Sequence, residues 1–149
     1  MSLKTQTANM KALAELLSQD LGYIFGERES GPNGAKREFL TKGRAFLSAL
    51  GRELGFAVQK VRTNKAGIAV SGEVTLRGLW EKGNGIRVEL TQDLINDDVL
   101  FFGPITGLND HTHGFTVRLS LDRLRQANYA SLLLDLLVFK EDYHGQSAA

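Results

Sequence analysis

Arg37, Arg44 and Arg52 stand seven and eight residues apart, and what they suit is phosphate contact. A guanidinium carries a rigid fork of N–H donors that matches phosphate oxygens, and it stays charged at any physiological pH. Seven residues make nearly two helical turns, so this spacing returns the side chains to one side of a helix. At 100° per residue, Arg37, Thr41, Arg44, Ser48 and Arg52 fall within about 80° of one another. The two hydroxyls would add donors between the cations. Lys60 and Arg62 follow and flank the stripe, and Lys65 widens it. From Lys36 to Lys65 there are eight basic residues against two acidic ones, a net of +6. The whole chain is +1, so the remainder carries −5. Such asymmetry bears on partners rather than on fold. Arg37, Arg44, Arg52, Lys60 and Arg62 are therefore the candidate anion-binding residues, with a nucleic-acid backbone as the leading partner. The competing reading is that an amphipathic helix needs a polar face and arginine is a good helix former.

A second constellation is Asp110, His111 and His113. Imidazoles two apart on a strand point the same way and can share a metal, with Asp110 as a carboxylate ligand or as a partner orienting an imidazole. A small metal-assisted enzyme is the function this cluster would serve, and a metal ion is the single cofactor it implies. Asn, Asp, Thr and Gly are ordinary turn residues, so the segment reads in the first place as a polar hairpin loop, with the metal site as the lesser alternative.

Other chemistry finds no anchor. Glycine-x-serine-x-glycine is absent, so acyl transfer lacks its nucleophile elbow. Asp93, Asp97 and Asp98 read as solvated loop carboxylates. Gly31 to Lys36 precedes a helix but has the wrong spacing for a phosphate loop, and Gly83-Asn84-Gly85 lacks the third glycine of a dinucleotide fingerprint. With no cysteine, disulfides, thiolate metal sites and cysteine nucleophiles are excluded. The first residues lack the basic start and apolar run of a secretory signal, and no stretch approaches the length of a membrane span. The expectation is a soluble, cytoplasmic protein that does not enter the membrane.

These residues need elements to hold them. Met10, Leu13, Ala14, Leu17, Leu21 and Ile24 recur at three- and four-residue steps and predict a helix from about Thr7 to Phe25, with Gly26 as its terminator. Glu27 to Gly34 is a turn-rich linker. Phe39, Gly43, Phe46, Leu47, Leu50 and Leu54 line the apolar side of a second helix, about Ala35 to Leu54, capped by Gly55. Strand signals begin at Phe56. A turn is predicted at Asn64 to Gly67. Ile68 to Arg77 and Ile86 to Thr91 alternate apolar and polar residues, with a turn at Glu81 to Gly85 between them. Val99 to Phe102 is a short all-apolar strand, and Phe115 to Ser120 alternates again. Trp80, Phe101 and Phe102 sit in strand context and read as core. After Ser120 a helical turn is predicted. Asn128 then caps a leucine-rich helix, Tyr129 to Phe139, and a polar tail over 140–149 is expected to fray.

Helices and strands are thus segregated along the chain, which argues for α+β architecture. The predicted fold is one domain spanning 1–149. Two N-terminal helices and a C-terminal helix pack on an antiparallel meander sheet of four to five strands. The functional expectation is a non-enzymatic binding or regulatory module. Its last helix is apolar nearly all round, which points to a homo-oligomer such as a homodimer. A scaffold with no ligand is the remaining alternative.

Overall fold

The computed structural model describes residues 3–19, 34–64, 72–92, 97–110, 116–126 and 128–148, apart from the side chains of 139 and 141–148. Its elements run α1 (Leu3–Leu17), α2 (Ala35–Leu54), β1 (Val58–Asn64), β2 (Glu73–Glu81), β3 (Asn84–Thr91), β4 (Asp98–Ile105), β5 (Val117–Ser120), α3 (Leu121–Gln126) and α4 (Tyr129–Ala148). The fold is α+β. All five strands pair antiparallel in sequence order, β1-β2-β3-β4-β5, so β1 and β5 are the edges.

Alternation decides which side of the sheet is dry. Val74 and Leu76 of β2, Ile86, Val88 and Leu90 of β3, and Leu100 and Phe102 of β4 are buried. They stand directly opposite one another in the ladder: Val74 pairs with Leu90, Leu76 with Val88, and Val88 with Phe102. Onto this side pack α2 over β1 and β2, α4 over β3, and α3 over β4 and β5, while α1 lies against the helices. One hydrophobic cluster draws on all these layers, including Met10, Leu13, Phe39, Leu47, Leu50, Leu124, Tyr129, Leu132 and Leu136.

Helix α2 has the bounds its sequence predicts. Gly55 adopts φ 76° and its N–H reaches the Arg52 carbonyl, closing the last turn. The helix comes close to the sheet because it presents glycine there: a Cβ on Gly43 would sit 3.1 Å from Val74 Cγ2, and one on Gly51 would strike the Gln59 side chain. Gly78 plays the same part from the sheet side, since a Cβ there would collide with the Phe56 ring. Trp80 packs on Phe56 with ring centroids 5.0 Å apart and donates its indole N–H to the Leu54 carbonyl at 2.8 Å.

Several boundaries differ from expectation. Helix α1 begins at Leu3 rather than Thr7 and ends at Leu17 rather than Phe25. Its early turns are tied by Asn9, which donates to Gln6 Oε1 at 2.7 Å, and by Thr7 Oγ1, which accepts the Tyr129 N–H at 3.0 Å. Its last carbonyls are taken by the Gln92 amide, which donates to Leu17 O and Gln19 O from β3's end; a partner for orphan carbonyls closes a helix wherever it comes from. The predicted terminator Gly26, the Glu27–Asn33 part of the linker, Lys65 to Ser71, and His111 to Phe115 lie outside the described residues. At the far end Asn128 Oδ1 accepts the Ser131 N–H at 2.8 Å, the cap its position predicts. Helix α4 then continues to Ala148, past Phe139 where the apolar pattern stops, because polar residues can extend a helix without leaving a periodic mark. No helix among the described residues is long and apolar enough to cross a membrane.

Candidate anion-binding surface

Helix α2 positions the arginine stripe. Arg37, Thr41, Arg44 and Arg52 are exposed and Ser48 is half-buried. None of the three arginines forms a salt bridge among the described residues. Along the axis they span fifteen residues, about 22 Å at 1.5 Å per residue. The other basic residues of the +6 segment divide sharply. Lys36 is buried at the first turn of α2. Lys42 is paired with Glu38 at 3.2 Å, one turn away. Lys60 and Arg62 are exposed on β1 and make no salt bridge among the described residues, and Lys65 lies outside them.

The stripe borders the β1 edge of the sheet. Gly51 of α2 faces Gln59 of β1, and the Gln59 amide donates to the Ser48 carbonyl at 3.4 Å. Arg44 is seven residues before Gly51 and Arg37 fourteen before it, so each is rotated only about 20° further round the helix per step. Arg37 and Arg44 therefore line the flank of α2 that overhangs β1, and Arg52, one residue after Gly51, is turned about 100° from that contact. Lys60 and Arg62 alternate with Gln59 and Val61, so they project to the other side of the sheet. Positive charge wraps from the outer side of α2 around the edge strand.

That other side carries no helix among the described residues, and the register arranges its charges in rows. Lys60 is opposite Arg77, and Arg77 is opposite Arg87. In the next row Arg62 faces Thr75, Thr75 faces Glu89, Glu89 faces Phe101, and Phe101 faces Arg118. The Arg118 guanidinium lies 5.9 Å from the Phe101 ring centroid. Phe101 is half-buried here, away from the core, whereas Phe102 is buried in it. Arg77 is half-buried; desolvation first, and then the neighbouring Arg87, hold its pKa below the ordinary arginine value. Glu89 stands diagonally across the ladder from Glu73 of the neighbouring strand, to which its protonated form can donate. Desolvation, the bond and the like charge together push its pKa up to about 7, against the opposing pull of Arg87 and Arg77. Residue by residue, Arg77, Arg87, Glu73 and Glu89 look like ordinary wet-face alternates. Only the strand register brings them together.

Asp110 lies at the start of the histidine loop. Its carboxylate accepts the Thr106 N–H and the Thr106 hydroxyl, each at 3.0 Å, and its carbonyl accepts from Arg77. The residue thus ties the β4–β5 connection to itself and to the sheet. His111 and His113 lie outside the described residues, and among those described no group of three or more potential ligands is placed to hold a metal. Asp97 and Asp98 are not drawn into a site: Asp97 takes φ 60° and its carbonyl accepts the Leu121 N–H, setting the start of α3.

No protein-family model, curated protein or solved structure matches this chain. Any functional reading stands on the chain's own geometry.

Proposed function

We propose that this protein is a non-enzymatic binding module whose basic surface contacts the phosphates of a nucleic acid. Arg37, Arg44 and Arg52 make the contacts from α2, with Lys60 and Arg62 continuing them around β1. The observation that carries the reading is selective: of the basic residues in the +6 segment, these five are exposed and outside any salt bridge among the described residues, while Lys36 is buried and Lys42 is paired. An acid one turn away stabilises a cation on a helix surface, as Glu38 does Lys42, and the stripe arginines have no such partner among the described residues.

Counterion release supplies the test. Log K for an oligonucleotide falls with log salt in proportion to the phosphates neutralised, about 0.7 to 0.9 per contact. Fluorescence-anisotropy titrations from low to moderate salt should give a steep slope for the native protein. The triple variant Arg37→Glu, Arg44→Glu, Arg52→Glu should flatten the slope by about two or more, since three contacts are lost. A native protein that binds no oligonucleotide at low salt, or a folded triple variant that binds unchanged, removes this reading.

Self-association belongs to the same proposal. Leu134 and Val138 lie one turn apart on α4 and are 61% and 50% exposed, although Tyr129, Leu132 and Leu136 of that helix are buried. Native mass should show a dimer that Leu134→Glu with Val138→Glu converts to monomer.

A further inference from the structure

We infer that the sheet face that carries no helix among the described residues is a platform for single-stranded nucleic acid, with the phosphates along the Lys60–Arg77–Arg87 row and the bases over the Thr75–Glu89–Phe101–Arg118 row. This inference rests on the reading of the protein as a nucleic-acid binder but, Lys60 apart, on different residues, and the two can fail separately through Arg87 and Phe101 on one side and the α2 arginines on the other.

The first observation is the row itself. Lys60, Arg77 and Arg87 occupy directly opposed positions on three adjacent strands. Neighbouring strands are about 4.8 Å apart, so the three cations span about 10 Å. Like charges placed directly opposite one another destabilise a sheet. A polyanion laid along the row turns that repulsion into attraction. Arg77 is already oriented by its bond to the Asp110 carbonyl, and Arg87 and Lys60 make no salt bridge among the described residues.

The second observation is the change of chemistry one row away. Two residues along each strand, about 7 Å on, the face stops being uniformly cationic. Inward from Arg62 at the β1 edge it presents a hydroxyl, a carboxyl, an aromatic ring and a guanidinium, in that order: Thr75, Glu89, Phe101 and Arg118. A continuous phosphate chain would meet Glu89 there, with Glu73 diagonally across the ladder from it, and be repelled. Bases would not: a carboxylate accepts from exocyclic amines, and both an aromatic ring and a guanidinium plane offer stacking surfaces. A phosphate row beside a base row describes one strand lying on its side. Duplex hides its bases inside the stack, and among the described residues this face projects no helix to enter a groove.

The test uses the full-length chain and labelled oligonucleotides of one sequence, single-stranded and duplex, in anisotropy titrations over a range of salt. Three folded variants are compared, with folding checked by circular dichroism and thermal midpoint: Lys60→Gln with Arg87→Gln, Phe101→Leu, and the α2 triple variant. The native protein should prefer the single strand. The Lys60/Arg87 variant should lower the single-strand salt slope by about 1.4, two contacts at about 0.7 each. Phe101→Leu should weaken single-strand binding about fivefold or more with the slope unchanged, as loss of a stacking surface requires. Duplex binding should respond mainly to the α2 triple variant. The inference is overturned if the native protein prefers duplex, if both sheet variants bind the single strand like the native protein, or if an acidic polypeptide such as polyglutamate competes as well as the single strand does. Should the α2 variant alone abolish binding, the proposed function stands and this platform falls. Should the sheet variants alone abolish it, the platform stands and the α2 contacts fall.

Discussion

The two sides of the sheet are made by the same strands and obey opposite rules. On the helix-covered side every opposed pair in the middle strands is apolar, and close approach is secured by removing atoms: Gly43, Gly51 and Gly78 leave room for Val74, Gln59 and Phe56. On the other side opposed pairs include two arginines, Arg77 and Arg87, and two glutamates, Glu73 and Glu89, stand diagonally across the same ladder. The first arrangement lowers the free energy of the folded chain. The second raises it, because half-buried like charges lose water and repel. Stability explains the first side fully; on the second it accounts for the Arg77 bond to Asp110 and the Arg118–Phe101 contact but not for the repulsive pairs, which the proposed binding role would explain. Substitutions that move one side should therefore change stability downward, and substitutions that neutralise the other should leave it level or improve it.

The largest effect is expected at Gly78. Placing Gly78→Val puts a branched side chain into the Phe56 ring and displaces it from Trp80, whose indole holds the end of α2. Overpacking of this kind costs about 3 kcal/mol or more, so urea denaturation should show a midpoint far below native, or no folded baseline. A near-native midpoint would mean that the dry side is looser than its contacts describe.

On the charged side the next effect has the opposite sign. The folded protein raises the Glu89 pKa from 4.5 to about 7. Groups facing it are Glu73, Arg77, Arg87 and, across the row, Arg62, Phe101 and Arg118. A carboxyl that holds its proton more tightly when folded favours the folded state at low pH. That contribution is complete below about pH 4.5 and is lost as pH rises through 7. Removing the charge with Glu89→Gln should therefore make the protein more stable than native at pH 8, by about 1 to 2 kcal/mol after allowance for solvent screening, and about equal to it at pH 4.5. Paired denaturation curves at the two pH values check it; a variant less stable than native at pH 8 would show that the ionised carboxylate is held by Arg87 and Arg77 more strongly than it is penalised by burial and Glu73.

How much of this was readable in advance divides along the same line. The dry side announces itself: Val74 and Leu76, then Ile86, Val88 and Leu90, alternate plainly, and Gly55 and Asn128 mark helix ends in the way their backbone and side-chain chemistry requires. The exposure of Arg37, Arg44 and Arg52 also follows from helical geometry alone. What escapes a linear reading is whatever depends on a distant partner. The end of α1 is decided by Gln92, and the burial of Lys36 by tertiary packing. Phe101 belongs to an all-apolar run, Val99 to Phe102, in which alternation carries no information, so its outward direction is set only by pairing with Glu89 and Arg118. The cationic row is the clearest case. Lys60, Arg77 and Arg87 are ordinary polar positions on three strands, and a shift of one residue in either ladder would scatter them.

The smallest effect is the sharpest test of the contrast. Arg87→Gln removes one cation from the middle of the charged side while keeping a polar side chain of similar reach. If Arg87 stabilised the sheet, its loss would cost stability. Yet Arg87 stands directly opposite Arg77 and contributes to lowering the Arg77 pKa, so the pair is repulsive in the folded protein. Removing the repulsion should raise stability at low salt by about 0.5 kcal/mol or less. The gain should shrink as salt rises, because screening already weakens the interaction in the native protein. Part of the benefit is offset near neutral pH, where Glu89 is partly ionised and loses the attraction of Arg87. The net gain should therefore be larger at pH 5 than at pH 8. Thermal midpoints measured at two salt concentrations and these two pH values resolve the pattern. A variant that is less stable than native at pH 5 in low salt would mean that the row is held together by the sheet's own contacts, and that the two sides differ in polarity without differing in purpose.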